Sequence, residues 1–121
     1  MKVALIGSRS LLPENIGDFL PPETTLLLSG GASGTDQTAV RLSREKGIPL
    51  REILPDYDAG GHQAPILRNI ALLDEADFVL MFWDGESPGT RFCRDYCRRN
   101  AIPYRLVFPD GSEEESFRSP K

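Results

Sequence analysis

The chain has 121 residues, of which 40% are hydrophobic and 26% charged, and this composition predicts one globular domain. No apolar run is long enough to span a membrane, and residues 1–20 lack the basic start and apolar core of a secretion signal. We therefore expect a cytoplasmic protein with no membrane partner. The formal net charge of −4 counts against a protein that coats nucleic acid without sequence preference. It does not count against a small anionic ligand, because the local field governs that binding.

Continuous apolar runs predict strands that are buried on both faces, as in a parallel sheet covered by helices. In chain order, the predicted strands are Val3–Ile6, 26–28, a weaker strand over 50–54, 78–83 and 103–108. Helices are predicted between them, over Pro13–Phe19, over Thr35–Lys46 with Gly47 as the C-terminal glycine, after Pro65 and over 90–100. This alternation predicts an α/β domain of three layers, an open parallel sheet with helices on both faces.

The remaining segments are polar. Residues 56–63 predict a glycine-bearing loop, and residues 109–121, with three consecutive glutamates, predict a mobile C-terminal tail after a single domain over 1–108. Cys93 and Cys97 lie one turn apart in a predicted helix, a spacing that favours buried free thiols. Because His62 is the only histidine, we expect no metal site, and we expect no cofactor.

The stretch from Leu26 to Asp36 is the centre of the predicted site. It runs from an apolar strand into a turn with three glycines and then into a helix that begins near Thr35. Glycines leave backbone N–H groups uncovered, and a helix N-terminus adds donors and the positive end of its dipole, so the turn suits a phosphate. A tight turn with nothing bound is the alternative. The spacing matches neither the P-loop nor the dinucleotide glycine pattern.

Three glycine-bearing loops follow predicted buried strands, at 7–9, 29–36 and 84–90. In open parallel sheets, ligands bind outside the carboxyl ends of the strands, where the strand order reverses. The three loops are therefore expected to meet at one crevice. This convergence favours a ligand site more strongly than any one turn does.

These residues resemble the SLOG superfamily. The resemblance rests on G-S-R after the first strand, S-G-G-A-S-G-T-D after the second, and R-N with L-L-x-x-A-D before the fourth. That superfamily includes the Lonely Guy phosphoribohydrolases, the DNA-processing protein A core and small stand-alone proteins of the YspA-like type, to which residues 2–107 are most similar. The resemblance implies a Rossmann-like fold and a nucleotide or nucleotide-derived ligand, with phosphate on the glycine loops.

The resemblance and the loop positions together give one set of candidate ligand-binding residues. They are Gly7, Ser8, Arg9, Ser29, Gly30, Gly31, Ala32, Gly34, Thr35, Asp36, Arg68, Asn69, Trp83, Asp84, Ser87, Gly89 and Thr90. Those from Ser29 to Thr35 would form the main phosphate cradle, and Gly89 and Thr90 the second. Each of three candidates also has an interpretation without a ligand. Arg9 could be a solvated loop arginine and Arg68 a solvated helix arginine. Trp83 would either stack on a base or pack beneath the loop.

One departure from the phosphoribohydrolases concerns their motif P-G-G-x-G-T-x-x-E, whose glutamate is catalytic. Cys93 stands at that position here, and a core-facing thiol cannot stabilise a developing ribosyl cation. Arg68 matches the arginine that those enzymes place on the preceding helix, and Asp84 or Glu86 would have to supply the missing carboxylate. These three residues are the catalytic candidates.

Three functions follow. The first is recognition of a nucleotide or nucleotide-derived signal, with Tyr57 and His62 in a loop that lies over the crevice. The second is hydrolysis of the N-glycosidic bond of a nucleoside 5′-monophosphate. The third is binding of single-stranded DNA through the arginines between 91 and 99, which otherwise form a solvated helix face and against which the net acidic charge counts. Relatives in the superfamily often dimerise, so a homodimer is an open alternative.

Overall fold

The computed structural model describes residues 1–7, 16–30 and 33–115, with the backbone alone for residues 33–36. Within these ranges the strands are β1 (Lys2–Gly7), β2 (Leu26–Ser29), β3 (Leu50–Glu52), β4 (Phe78–Phe82), β5 (Tyr104–Val107) and β6 (Glu113–Glu115). The helices are α1 (Ser33–Lys46), α2 (Tyr57–Gly60), α3 (Ala64–Glu75) and α4 (Pro88–Arg99), with short 3-10 turns at Ile16–Phe19 and Gly61–Gln63.

The strands form one sheet in the order β3-β2-β1-β4-β5-β6. The first five strands run parallel, and only β6 pairs antiparallel, with β5. This is the strand order of a Rossmann-like fold, in which the order reverses between β1 and β4. The predicted α/β class with an open parallel sheet is confirmed.

Helices cover both faces of the sheet, as predicted. On one face, α3 and α4 contribute Leu72, Leu73, Cys93 and Cys97 to a buried cluster beneath β2, β4 and β5. On the other face, α1 and the first 3-10 turn contribute Ala39, Leu42 and Ile16. The apolar strands are buried on both sides because each lies between these two layers.

Most predicted helices appear with small changes in their ends. Gly47 follows α1 with a φ of +66°, the left-handed conformation expected of a C-terminal glycine. The helix predicted over 13–19 is a 3-10 turn from Ile16, and residues 13–15 lie outside the described ranges. Strand β3 ends at Glu52 instead of residue 54, although the Ile53 amide still donates to the Ser29 carbonyl oxygen; Pro55 has no amide N–H with which the ladder could continue.

Two segments differ from the sequence prediction. Residues 57–63, predicted as a loop, form a helical turn and a 3-10 turn, because the Asp56 side chain accepts a hydrogen bond from the Ala59 amide and caps the turn. Residues 113–115, predicted as part of a mobile tail, form β6, because Arg105 pairs with Glu113, Arg98 pairs with Glu114 and the Tyr104 hydroxyl donates a hydrogen bond to Glu114. Residues 116–121 lie outside the described ranges.

Candidate functional site

The candidate site lies at the carboxyl edge of the sheet. Strands β1 and β4 are neighbours there, with Gly7 opposite Phe82, and the strand order reverses between them. Gly30 follows β2, and Trp83 and Asp84 follow β4, at the same edge. The crevice outside such an edge is where parallel α/β sheets bind ligands.

Arg68 connects helix α3 to the turn after β2. Its guanidinium donates a hydrogen bond to the Gly30 carbonyl oxygen, and its Nε donates to the Asn69 Oδ1 at 2.8 Å. A Cβ atom on Gly30 would lie 2.7 to 2.9 Å from three atoms of the Arg68 side chain, closer than real contacts allow. Glycine is therefore required at position 30 for the arginine to approach the backbone this closely.

The base of this turn is fixed to the neighbouring strand. Ser29 is fully buried, and its carbonyl oxygen accepts a hydrogen bond from the Ile53 amide at 2.8 Å. The segment after β3 therefore begins beside Gly30. The positive charge of Arg68 also acts on the buried Cys93 thiol of α4, where it opposes the rise in the pKa of that thiol.

Asp84 organises the loop that leads into α4. Its Oδ1 accepts hydrogen bonds from the amides of Glu86 and Ser87, both at 2.8 Å, and its Oδ2 accepts one from the Ser87 hydroxyl at 3.3 Å. The Ser87 and Glu86 amides lower the pKa of the Asp84 carboxyl. Gly85 takes a φ of +87° within the loop. Asp84 is an exposed carboxylate that holds the loop in shape.

The first turn of α4 is open to solvent at Gly89, where a Cβ atom would meet nothing within 4 Å. Thr90 beside it is 4% exposed. Pro88 occupies the first turn, where its missing N–H costs no helical hydrogen bond, and the following amides lack partners within the helix. Gly89 and Thr90 therefore lie at a helix end that is suited to an anion.

Trp83 supports this loop from below. Its indole is 5% exposed, and its Nε1 donates to the Ser87 carbonyl oxygen at 3.0 Å. The Arg94 guanidinium lies 4.8 Å from the indole centroid, and the Phe108 ring lies 5.9 Å away. Neighbouring side chains cover the ring, so Trp83 packs beneath the loop, which was the alternative to stacking on a base.

The cysteines of α4 are buried free thiols, as predicted. Burial raises the pKa of Cys93 to about 12, with a further contribution from Cys97, and burial raises the pKa of Cys97 to about 12 as well. At neutral pH both thiols are protonated. Cys93 therefore supplies no negative charge at the position where the phosphoribohydrolase motif has its glutamate.

Four apolar side chains between residues 54 and 67 are exposed. Leu54, Tyr57, Ile66 and Leu67 are 61%, 61%, 48% and 51% exposed, and we call them the α2–α3 apolar surface. Gly60 lies against Leu67, since a Cβ atom there would be 3.0 Å from Leu67 Cδ1. Sequence reasoning missed this surface, because helical spacing assigned Ile66 and Leu67 to the buried face of α3. His62 is exposed nearby in the 3-10 turn.

Several predicted residues cannot be compared with the structure. Ser8, Arg9, Gly31 and Ala32 lie outside the described ranges. Gly34, Thr35 and Asp36 lie in the first turns of α1, where only the backbone is described. The remaining candidates are distributed around the crevice, with Gly30, Arg68 and Asn69 on the β2 side and Asp84, Ser87, Gly89 and Thr90 on the β4 side.

Over residues 1–7, 16–30 and 33–115, no three or more histidine, cysteine or acidic side chains group where a metal ion would fit. None of the helices in these ranges has the length and apolar character needed to cross a membrane. No protein-family model matches the chain, and no curated protein or solved structure matches it either.

Proposed function

We propose that the carboxyl edge of the sheet binds a nucleotide or nucleotide-derived small molecule, as the resemblance to the SLOG superfamily implies. The phosphate would lie between the Gly30 turn and the first turn of α4. The ribose hydroxyls would lie near the Asp84 loop. The base would lie against the α2–α3 apolar surface.

The position of Arg68 is the observation that carries this proposal. A guanidinium binds phosphate through paired N–H donors, and Arg68 lies against Gly30 at the start of the predicted phosphate cradle. In the described residues Arg68 donates to a neutral carbonyl and a neutral amide, not to a carboxylate. An incoming phosphate would exchange these hydrogen bonds for charge-assisted ones.

The α2–α3 apolar surface supports a ligand with a planar apolar part. Tyr57 offers an exposed aromatic ring, and Leu67 directly precedes Arg68 in α3. Apolar contacts beside a small number of polar anchors are typical of small-molecule sites. A base attached to a phosphate-bearing ribose fits this combination.

Thermal unfolding against a ligand panel tests the proposal. The panel contains nucleoside monophosphates and diphosphates, ADP-ribose and cyclic dinucleotides. A ligand present at about 100 times its dissociation constant should stabilise the fold by about 2.7 kcal/mol. Arg68→Gln should abolish the response. Arg41→Gln is the control, since Arg41 forms an exposed ion pair with Glu45 on α1. A panel that leaves the unfolding midpoint unchanged, or equal responses from both variants, would contradict the proposal.

The ligand found in this way also tests the hydrolase alternative. Cys93 is protonated and buried, and Asp84 is engaged by the loop, so Glu86 is the candidate carboxylate left at the crevice. We expect binding without release of the base. Base release that is lost in Glu86→Gln and in Arg68→Ala would instead establish N-glycosidic hydrolysis.

A further inference from the structure

The Arg68 guanidinium is held through two of its nitrogens. Its Nε donates a hydrogen bond to the Asn69 Oδ1 at 2.8 Å, and its Nη1 donates to the Gly30 carbonyl oxygen. A guanidinium binds a phosphate through two parallel N–H groups, which are Nη2 together with either Nε or Nη1. Each of these two pairs therefore contains a nitrogen that already donates a hydrogen bond within the protein.

The acceptors at Arg68 are of an unusual kind for this chain. Asn69 and Gly30 offer uncharged oxygens, whereas five other arginines lie within ion-pair distance of glutamates. These pairs are Arg41 with Glu45, Arg51 with Glu75, Arg105 with Glu113, and Arg94 and Arg98 with Glu114 of β6. An uncharged acceptor does not neutralise the guanidinium, and a phosphate oxygen makes a stronger hydrogen bond to it. A phosphate can therefore take the place of these acceptors.

The Gly30 side of this arrangement is fixed by close packing. A Cβ atom at Gly30 would lie 2.7 to 2.9 Å from Cδ, Nη1 and Nε of Arg68. The two nitrogens that lie against the glycine are thus the same two that donate the hydrogen bonds. A phosphate that approaches either bidentate pair competes with Gly30 or with Asn69.

The Asn69 side chain is committed to this one contact. In the part of the chain that the structure describes, Arg68 is its only hydrogen-bond partner. Both residues belong to α3, so their contact joins no other element to the helix. A substitution at position 69 therefore changes the hydrogen bonding of Arg68 without removing a hydrogen bond between elements.

We propose that Asn69 is an internal competitor for the phosphate at Arg68, and that it lowers the affinity of the site by holding the Nε–H group. This inference rests on the function proposed above, because it concerns the same arginine. It gives Asn69 a regulatory role in place of direct ligand contact. The amide oxygen loses its hydrogen bond to Arg68 when the phosphate binds.

Asn69→Leu tests the proposal, because leucine has a similarly branched side chain and no acceptor. Ribose 5-phosphate is the probe, and its dissociation constant is measured by NMR titration of the isotope-labelled full chain. Loss of one internal hydrogen bond should tighten binding by about twofold to tenfold. Gln63→Leu is the matched control, because the exposed Gln63 side chain precedes α3 and makes no capping hydrogen bond. It should bind the probe as the wild type does.

Two further measurements show whether Asn69 acts through Arg68. In the wild type, the NMR signal of the Arg68 Nε–H group should shift as ribose 5-phosphate is added, because its acceptor changes from an amide to a phosphate. In an Arg68→Lys background, which keeps the charge but lacks this N–H group, Asn69→Leu should leave the dissociation constant unchanged.

The outcomes separate this inference from the proposed function. Weaker or unchanged binding by a folded Asn69→Leu protein would overturn the inference alone, and so would an equal gain in the Arg68→Lys background. A wild-type Nε–H signal that stays in place at saturation would also overturn it, whether or not the variants fold. Failure of ribose 5-phosphate to bind either the wild type or Asn69→Leu would overturn the proposed phosphate site and the inference with it.

Discussion

The Arg68 guanidinium lies directly on the backbone of Gly30 and donates a hydrogen bond to its carbonyl oxygen. Gly30 does not have a positive φ, so the backbone itself accepts a larger residue. The restriction at this position comes from one neighbouring side chain. The stability of the turn and the placement of the arginine should therefore be coupled.

Gly30→Ala should destabilise the protein by about 1 kcal/mol, because the new methyl group displaces the end of Arg68. In an Arg68→Ala background the same substitution should cost much less, giving a coupling energy between about 0.5 and 1 kcal/mol. Urea unfolding of the four proteins measures this difference. Gly89→Ala is the control, since nothing lies within 4 Å of its added methyl group. Additive effects of Gly30→Ala and Arg68→Ala would show that the contact is not formed in solution.

The loop after β4 should depend on pH through Asp84. Backbone amides lower the pKa of this carboxyl in the folded state, so its contribution to stability is fully present above its unfolded value of about 3.9. That contribution is lost as the pH falls through the lower folded value. Asp84→Asn should therefore flatten the decrease in unfolding free energy below about pH 4. Chemical denaturation at several pH values measures it, with Asp58→Asn on α2 as the control.

Glu75 should also lose its contribution to stability as the pH falls. Its pKa is lowered first by the hydrogen bond from Arg51 and then by Lys2. An Asp84→Asn protein that keeps the acid dependence of the wild type would mean that Glu75 and other carboxylates dominate it. Comparing the wild type, Asp84→Asn and Glu75→Gln over the same pH range separates the contributions of the two carboxylates to the unfolding free energy.

The α4 thiols should be unreactive while the protein is folded. Burial keeps Cys93 and Cys97 protonated, whereas an unfolded cysteine has a pKa of about 8.5. Alkylation by iodoacetamide at mildly alkaline pH should be slow in buffer and fast in denaturant, as measured by mass spectrometry. Rapid alkylation of Cys93 below the unfolding transition would contradict the packing of α4. Cys93 would then again be a candidate for a role at the crevice.

Tyr57→Ala should separate base recognition from phosphate recognition. Tyr57 is 61% exposed, so the change in folding stability should stay within about 0.5 kcal/mol. If the base stacks on this ring, affinity for a nucleoside monophosphate should fall by about 1 to 3 kcal/mol. Affinity for ribose 5-phosphate, which has no base, should not change. Isothermal titration with both ligands measures this, and equal losses would place the base elsewhere.

The sequence predicted the strands of the sheet because continuous apolar runs identify buried parallel strands without further information. It did not predict that Ile66 and Leu67 are exposed. Helical spacing says which residues share a face but not how far the helix is rotated against the sheet. The position of α3 depends on contacts that are distant in sequence, such as Arg68 with Gly30.

Strand β6 was not predicted, for a related reason. Three consecutive glutamates favour a solvated tail when the segment is considered alone. They form a strand here because Arg105, Arg98 and Tyr104 lie opposite them. The hydrogen bonds of Asp84 and the burial of Cys93 were predictable in part. A carboxylate in a glycine-bearing loop commonly accepts hydrogen bonds from nearby amides, and a free thiol on an apolar helix face is usually buried.

Trp83 is the only tryptophan of the chain, and it lies between the Asp84 loop, the arginines of α4 and Phe108. Its fluorescence emission therefore reports on a single environment and requires no added label. Solvent entry at the loop would shift the emission to longer wavelength, whereas movement of Arg94 would change its intensity. One optical signal can thus distinguish an event at the crevice from an event at the acidic edge strand.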